Sequence, residues 1–236
     1  MCYNDRSPRC KVVIEKDTMK EIRGIYKILN GIINMTCAIN SLPTPVNILW
    51  KYRPKTENKF ISVPCGNEQK TESCNVNENG EHHTVGHCSV PTNHLTLSGF
   101  YRCEALQSNG ILVASNESEI EIIGIEYTNK VQDRLVIGED GYIDVKICAN
   151  PQPELFWVLP QGQIIQPGHG QLRFSASNIW HDQNKPVEKD GPSERIPYCY
   201  RNKLIIGSVA KEDKEIFLIV RNEGETREHT TFFLHL

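Results

Sequence analysis

Hydrophobic positions along this chain come in short runs rich in Ile, Val, Leu and aromatics, broken by Gly, Pro, Asn and Ser, and they alternate with polar residues. That is the signature of strands with one face buried, so the pattern predicts an all-β protein and no long helix. In the first half it predicts strands over 32–39, 47–52, 100–106 and 111–114, with 120–125 leading out. Ser108-Asn109-Gly110 supplies a hairpin turn between two of them. In the second half the same reading gives 142–148, 155–159, 203–209, 216–221 and 230–236. Two polar stretches, 64–87 and 178–197, read as long loops or insertions.

The length of 236 residues suits two units of about 100 residues, each able to bury its own core. The expected division is an N-terminal extension over 1–19, a first domain over 20–125 and a second over 126–236. The junction near 124–130 is short, which implies limited bending. Net charge is −3 with both signs spread along the chain, so no basic stripe points to nucleic acid. No run approaches about 20 apolar residues, so this segment is not expected to insert in a membrane. The start, Met1-Cys2-Tyr3-Asn4-Asp5-Arg6, lacks the apolar centre of a signal peptide, and the final residues fall inside an expected strand. The expectation is an ectodomain fragment. Nine cysteines fit an oxidising, extracellular setting better than the cytosol.

Cys37 precedes Trp50 by thirteen residues, and Gly99 stands before Tyr101-Arg102-Cys103. In this arrangement the first half resembles the immunoglobulin superfamily over roughly 20–125. The resemblance implies a Cys37–Cys103 bridge between two packed sheets, an indole from Trp50 against it, and a Tyr101 hydroxyl bonded back to the backbone. The chain departs from the family at Leu97, where the family usually has an aspartate. The second half resembles the same family through Ala149-Asn150-Pro151-Gln152-Pro153, Trp157 and Asn222-Glu223-Gly224, without the usual cysteines. Val145 stands where the first would be. Asp213 and Phe217 indicate Ile219 for the second position and Asn222 indicates Leu218; alternation favours Leu218, because the other register turns Arg221 inward. Two buried aliphatic side chains contribute about 1.5–3 kcal/mol each, comparable to the ~2–4 kcal/mol of a disulfide.

With Val145 and Ile147 inward, Cys148 points out, and Cys199 is the other cysteine of that half. A Cys148–Cys199 bond tethering the 178–197 insertion is therefore expected. Cys2, Cys10, Cys65, Cys74 and Cys88 remain, and spacing does not fix their pairing. Cys65 or Cys74 with Cys88 would brace the long loop, and Cys2 with Cys10 would close a small ring. The extra cysteines resemble those of fasciclin III-like ectodomains among invertebrate neural recognition proteins. Cys65, Cys74, His82, His83, His87 and Cys88 also form a possible zinc set, but their spacing matches no common finger, and disulfides with solvated histidines are the expectation.

No nucleophile elbow, catalytic pair or phosphate-cradling glycine loop is present, so neither catalysis nor a cofactor is expected. Two sequons, Asn34-Met35-Thr36 and Asn116-Glu117-Ser118, are candidate glycosylation sites. Alternation turns Asn34 outward on the sheet of the first cysteine strand. The opposite sheet is then the freer surface, with Leu49, Lys51, Arg102, Glu104 and Leu106 as candidate partner-binding residues, two leucines among charges. A strand or loop covering those leucines is the alternative. The resemblance implies a protein partner, homophilic or heterophilic, for cell-surface recognition or adhesion. A secreted or receptor ectodomain that captures a soluble protein is the rival reading.

Overall fold

The computed structural model describes residues 11–14, 25–41, 45–63, 65, 70–75, 82–160, 162–182, 198–213, 215–222 and 227–233. The chain divides into two compact units, one reaching Ile122 and the other beginning at Ile123. Both are packed pairs of antiparallel sheets.

In the first unit the strands are β1 (Lys11–Ile14), β2 (Ile25–Ile28), β3 (Ile32–Ser41), β4 (Asn47–Pro54), β5 (Ile61–Ser62), β6 (Lys70–Asn75), β7 (His82–Pro91) and β8 (Gly99–Leu106). Strand β9 (Leu112–Arg134) begins here and continues into the second unit. One sheet has the order β1-β3-β7-β6; the other joins β5, β4, β8 and the start of β9. Strand β2 also pairs with β9. Alternation along β3 buries Ile33, Met35, Cys37 and Ile39, and along β4 it buries Ile48, Trp50 and Tyr52. Ile33, Met35 and Cys37 meet Ile48, Trp50, Tyr52, Tyr101, Cys103 and Ile120 of the facing sheet to form one core, and Ile39 packs with Val46 and Ala105 beside it.

The stretch 64–87 is not one long loop, because β6 and the first half of β7 lie inside it. The inward positions of β7 are Thr84, Gly86, Cys88 and Val90, too small and polar to read as a buried strand. Gly86 is required by packing: a Cβ there would lie 2.8 Å from Ile48 Cγ2. Similarly, 112–114 of the first run and all of 120–125 belong to the single strand β9.

The second unit contains β10 (Gly141–Asn150), β11 (Glu154–Val158), β12 (Ile164–Ile165), β13 (Gly170–Gln171), β14 (Phe174–Ala176), β15 (Trp180–His181), β16 (Cys199–Ile206), β17 (Glu215–Arg221) and β18 (Arg227–Phe233). One sheet runs β13-β14-β16-β10 and on to the latter part of β9, with β15 against β16; the other is β12-β11-β17-β18. Its core is aliphatic around Trp157, with Val145, Ile147, Leu155, Leu204, Ile216 and Leu218 all buried.

The register makes the two units comparable strand by strand. Trp50 lies opposite Cys103, and Trp157 lies opposite Leu218. Cys37 lies opposite Gly86, and Val145 lies opposite Asn202. Val145 and Leu218 thus occupy the places that the bridged cysteines hold in the first unit, with Ile219 on the other face and only half-buried. Each unit therefore has the immunoglobulin-like sandwich fold, the second with an aliphatic pair at its centre.

Candidate functional site

The corner that orients β8 is built from Tyr101, whose hydroxyl donates to the Leu97 carbonyl at 2.8 Å. The carbonyl does not depend on the Leu97 side chain, so the corner forms without the family's aspartate. Ser98 closes it further: its hydroxyl accepts the Ile122 N–H at 2.9 Å, and its carbonyl accepts the Tyr52 hydroxyl at 3.2 Å. Burial pushes the Tyr101 hydroxyl well above the ordinary tyrosine range, with Tyr52 adding to it. The second unit uses a different device. Arg173 donates both ends of its guanidinium to the buried Asp213, whose Oδ2 also accepts the Ala210 N–H at 2.9 Å.

With β8 held this way, its outward residues Phe100, Arg102, Glu104 and Leu106 share a face with Leu49, Lys51 and Arg53 of β4 and with Leu112, Ser115, Glu117 and Glu119 of β9. All five residues singled out from the sequence stand on this face. It has two unlike ends. At the charged end Lys51 pairs with Glu104 at 2.7 Å, Arg102 with Glu117 at 2.7 Å, and Lys55 with Glu119 at 2.8 Å and with Glu121. Arg102 also stacks on Phe60 at 3.8 Å and Arg53 on Phe100 at 4.0 Å. Such cation–π contacts fix the guanidinium planes. Burial works against the charge on Lys55, but its two glutamates outweigh it and hold the ammonium above its ordinary range. Lys51 and Arg102 cover Glu104 so well that it is only 8% exposed, which makes it a support for its neighbours rather than a contact.

At the other end the face is apolar. Leu49 is 40% exposed and lies one step diagonally from the half-covered Leu106, and Leu106 lies opposite Leu112. Ala105 pairs with Ala114 and Leu106 with Leu112, so Val113 is an extra, bulged residue. Ile111, Leu112 and Val113 are 57%, 51% and 44% exposed. The turn before them is set by Asn109 and Gly110: Asn109 Oδ1 accepts the Ile111 N–H at 3.0 Å, and Gly110 has φ 82°. Sequence reasoning stopped at the strands of Trp50 and Cys103 and missed this tripeptide. The available signal was three consecutive apolar residues directly after a tight turn.

Cys65, Cys88, His83 and His87 of the possible zinc set have other partners. Cys65 and Cys88 are bonded to each other with an S–S distance of 2.03 Å, inside the core. His83 bonds Asn40 at 2.6 Å and His87 bonds Thr36 at 3.1 Å. Cys74 lies on β6 opposite His83, and Cys2 and Cys10 fall outside the described residues. Among the described residues no group of three or more His, Cys, Asp or Glu is placed to hold a metal ion.

Cys37 is bridged to Cys103 and Cys148 to Cys199. Cys148 and Cys199 are directly opposed on the neighbouring strands β10 and β16 of one sheet, on its outer side; residues 183–197 of the stretch this bond is expected to tether lie outside the described residues. Beside them Arg201 pairs with Asp144 at 2.6 Å and Lys146 with Asp182 at 2.8 Å. The second unit also has a shallow groove lined by Leu159, Leu172, Phe174 and Glu212, whose Arg173 and Asp213 are committed to each other. Among the described residues no helix is long and apolar enough to cross a membrane.

The fold and this face define a class, a tandem immunoglobulin-like chain that offers a sheet surface. No family model matches the chain, and no curated protein matches it in sequence. Similar solved structures include an I-band fragment of titin, at 12% identity and a TM-score of 0.48, covering 93% of this chain and 63% of that one. The full ectodomain of mouse nectin-like molecule 4 is 10% identical with a TM-score of 0.48, covering 96% of this chain and 64% of that one. A two-domain structure of Rst is 10% identical with a TM-score of 0.45, covering 94% and 97% respectively. The chain spans less than two thirds of the length of the titin and nectin-like structures.

Proposed function

We propose that this chain is an extracellular protein-binding module for recognition at cell surfaces, acting through the β4-β8-β9 face of its first unit. The observation that carries the reading is the pairing of a self-satisfied charged end with an unsatisfied apolar end. Four cations, Lys51, Arg53, Lys55 and Arg102, stand among four anions, Glu104, Glu117, Glu119 and Glu121, and they already neutralise one another. The unmet tendency on this face is burial of Leu49, Leu106, Ile111, Leu112 and Val113, with the ion pairs as a polar rim. Ion pairs of this exposure contribute little on their own, about 0–1 kcal/mol each. The apolar end is where affinity comes from.

The disulfides within each unit support an oxidising, extracellular setting. Whether the partner is a second copy or a different cell-surface protein is decided by experiment. The purified protein is studied by sedimentation velocity over a wide concentration range, and a fluorescent tetramer of it is used to stain cells of the source animal. Concentration-dependent dimers indicate homophilic recognition; a monomer whose tetramer stains protein on cell surfaces indicates a heterophilic partner. A monomer whose tetramer stains no cells contradicts the proposal. Capture of a soluble protein, the rival reading, predicts the same face but binding to secreted material and not to cells.

A further inference from the structure

We propose that Asn34 carries an N-linked glycan and that Asn116, in the chain's other sequon, does not. Both triplets fit the acceptor pattern, one ending in Thr36 and the other in Ser118. The folded sandwich separates them. Asn34 is exposed on the outer side of β3, between the buried Ile33 and Met35. Its Oδ1 accepts the Ser89 hydroxyl at 2.9 Å, and its outward neighbours Thr36, Ser89 and His87 are polar. Asn116 lies opposite Cys103, so its side chain is on the inner side of its sheet with Ser118 and Ile120. Burial deepens along that row to Ile120, which is fully enclosed. The Asn116 Oδ1 is turned to the N–H of Glu117 at 3.0 Å.

The reaction joins Asn34 Nδ2 to the anomeric carbon of an oligosaccharide carried on a polyprenyl pyrophosphate. The carbon–oxygen bond to the pyrophosphate breaks, the lipid pyrophosphate leaves, and the amide gives up one proton to balance its charge. The amide carbonyl is retained, so the bond from Ser89 survives the modification. Transfer precedes folding, and the sandwich must then close around whatever has been attached. A sugar on Asn34 projects into solvent from the β1-β3-β7-β6 sheet. A sugar on the half-buried Asn116 would start on the inner side of its sheet, beside the fully buried Cys103 and Ala105.

The inference rests on passage through the secretory route, and its test separates the two. The chain is secreted from insect cells behind an added leader, treated with peptide N-glycosidase, and mapped by mass spectrometry. Glycosidase-dependent conversion to aspartate is expected at Asn34 and at no other residue. Asn34→Gln and Thr36→Ala each abolish the mass shift, whereas Thr36→Ser and Asn116→Gln leave it intact. A secreted, disulfide-bonded protein that is unmodified at Asn34, or that carries sugar at Asn116, overturns the proposal while leaving the extracellular reading in place.

Discussion

Trp50 and Trp157 sit at corresponding points of two sandwiches, and they differ in what receives the indole N–H. Trp157 Nε1 donates to Asn202 Oδ1 at 2.8 Å, and Asn202 Nδ2 continues to the Ser177 carbonyl at 2.7 Å. Trp50 Nε1 is buried and has no hydrogen-bond partner among the described residues. The residue in the position of Asn202 is Gly86, and the approach of Ile48 leaves no room for a side chain there. A buried donor left unsatisfied costs about 1–3 kcal/mol, so the first unit tolerates a defect that its disulfides offset, and the second removes it with a side chain. Asn202→Ala is expected to destabilise the second unit by about 1–3 kcal/mol, read as an earlier urea midpoint by circular dichroism; an unchanged midpoint would count against the network.

Tyr101 gives a second test at this scale. Its folded pKa is raised above the ordinary value of 10.0, so the stabilisation from its neutral form is complete below about pH 10 and is lost as pH rises through the folded value. The first unit is expected to lose stability progressively above pH 10. Tyr101→Phe should cost about 1–2 kcal/mol at neutral pH, through the orphaned Leu97 carbonyl, and should flatten the alkaline loss. A variant whose stability still falls as steeply as the native protein's would contradict this.

At the scale of elements, equivalence between β3 and β10, and between β8 and β17, rests on register. If Val145 and Leu218 stand where Cys37 and Cys103 stand, then Val145→Cys with Leu218→Cys places two thiols across the same inter-sheet gap. That pair is expected to oxidise in the secreted protein, shown by a reductant-sensitive shift and a linked peptide; two free thiols would refute the equivalence. Conversely, replacing both Cys148 and Cys199 with alanine should cost about 2–4 kcal/mol and leave a folded second unit, because the core around Trp157 does not include that bridge.

Elements were legible where inward side chains are large and apolar. Strands β3, β4, β8, β10 and β11 could be read from alternation, and the Cys37, Trp50, Tyr101, Cys103 set announced the first sandwich. Strand β7 could not, because its inward row contains Thr84, Gly86 and Cys88, and β16 starts earlier than expected because Asn202 is a buried polar residue in a bonded role. The conflict between Leu218 and Ile219 has a physical cause. Asp213 keeps its corner role through Arg173, but it stands five residues before Leu218, whereas Leu97 stands six before Cys103. One residue fewer turns Phe217 outward and places Ile216 inside.

For the molecule as a whole, the candidate face was half legible. Alternation found Leu49, Lys51, Arg102, Glu104 and Leu106, but the burial of Glu104 under two cations, and the bulge that brings Ile111, Leu112 and Val113 to the same end, depend on tertiary pairing. The functional account therefore stands on the apolar end, and it is tested by altering that end alone. Tetramers of the native protein, of Leu49→Asp, Leu106→Asp and Leu112→Asp proteins, and of a Leu172→Asp control from the exposed turn of the second unit are compared for binding to the same cells, after circular dichroism shows each folded. The account predicts that each of the three face variants loses at least about tenfold in binding, as removal of about 1.4 kcal/mol or more requires, and that the control binds as the native protein does. Folded face variants that bind at native strength would contradict it.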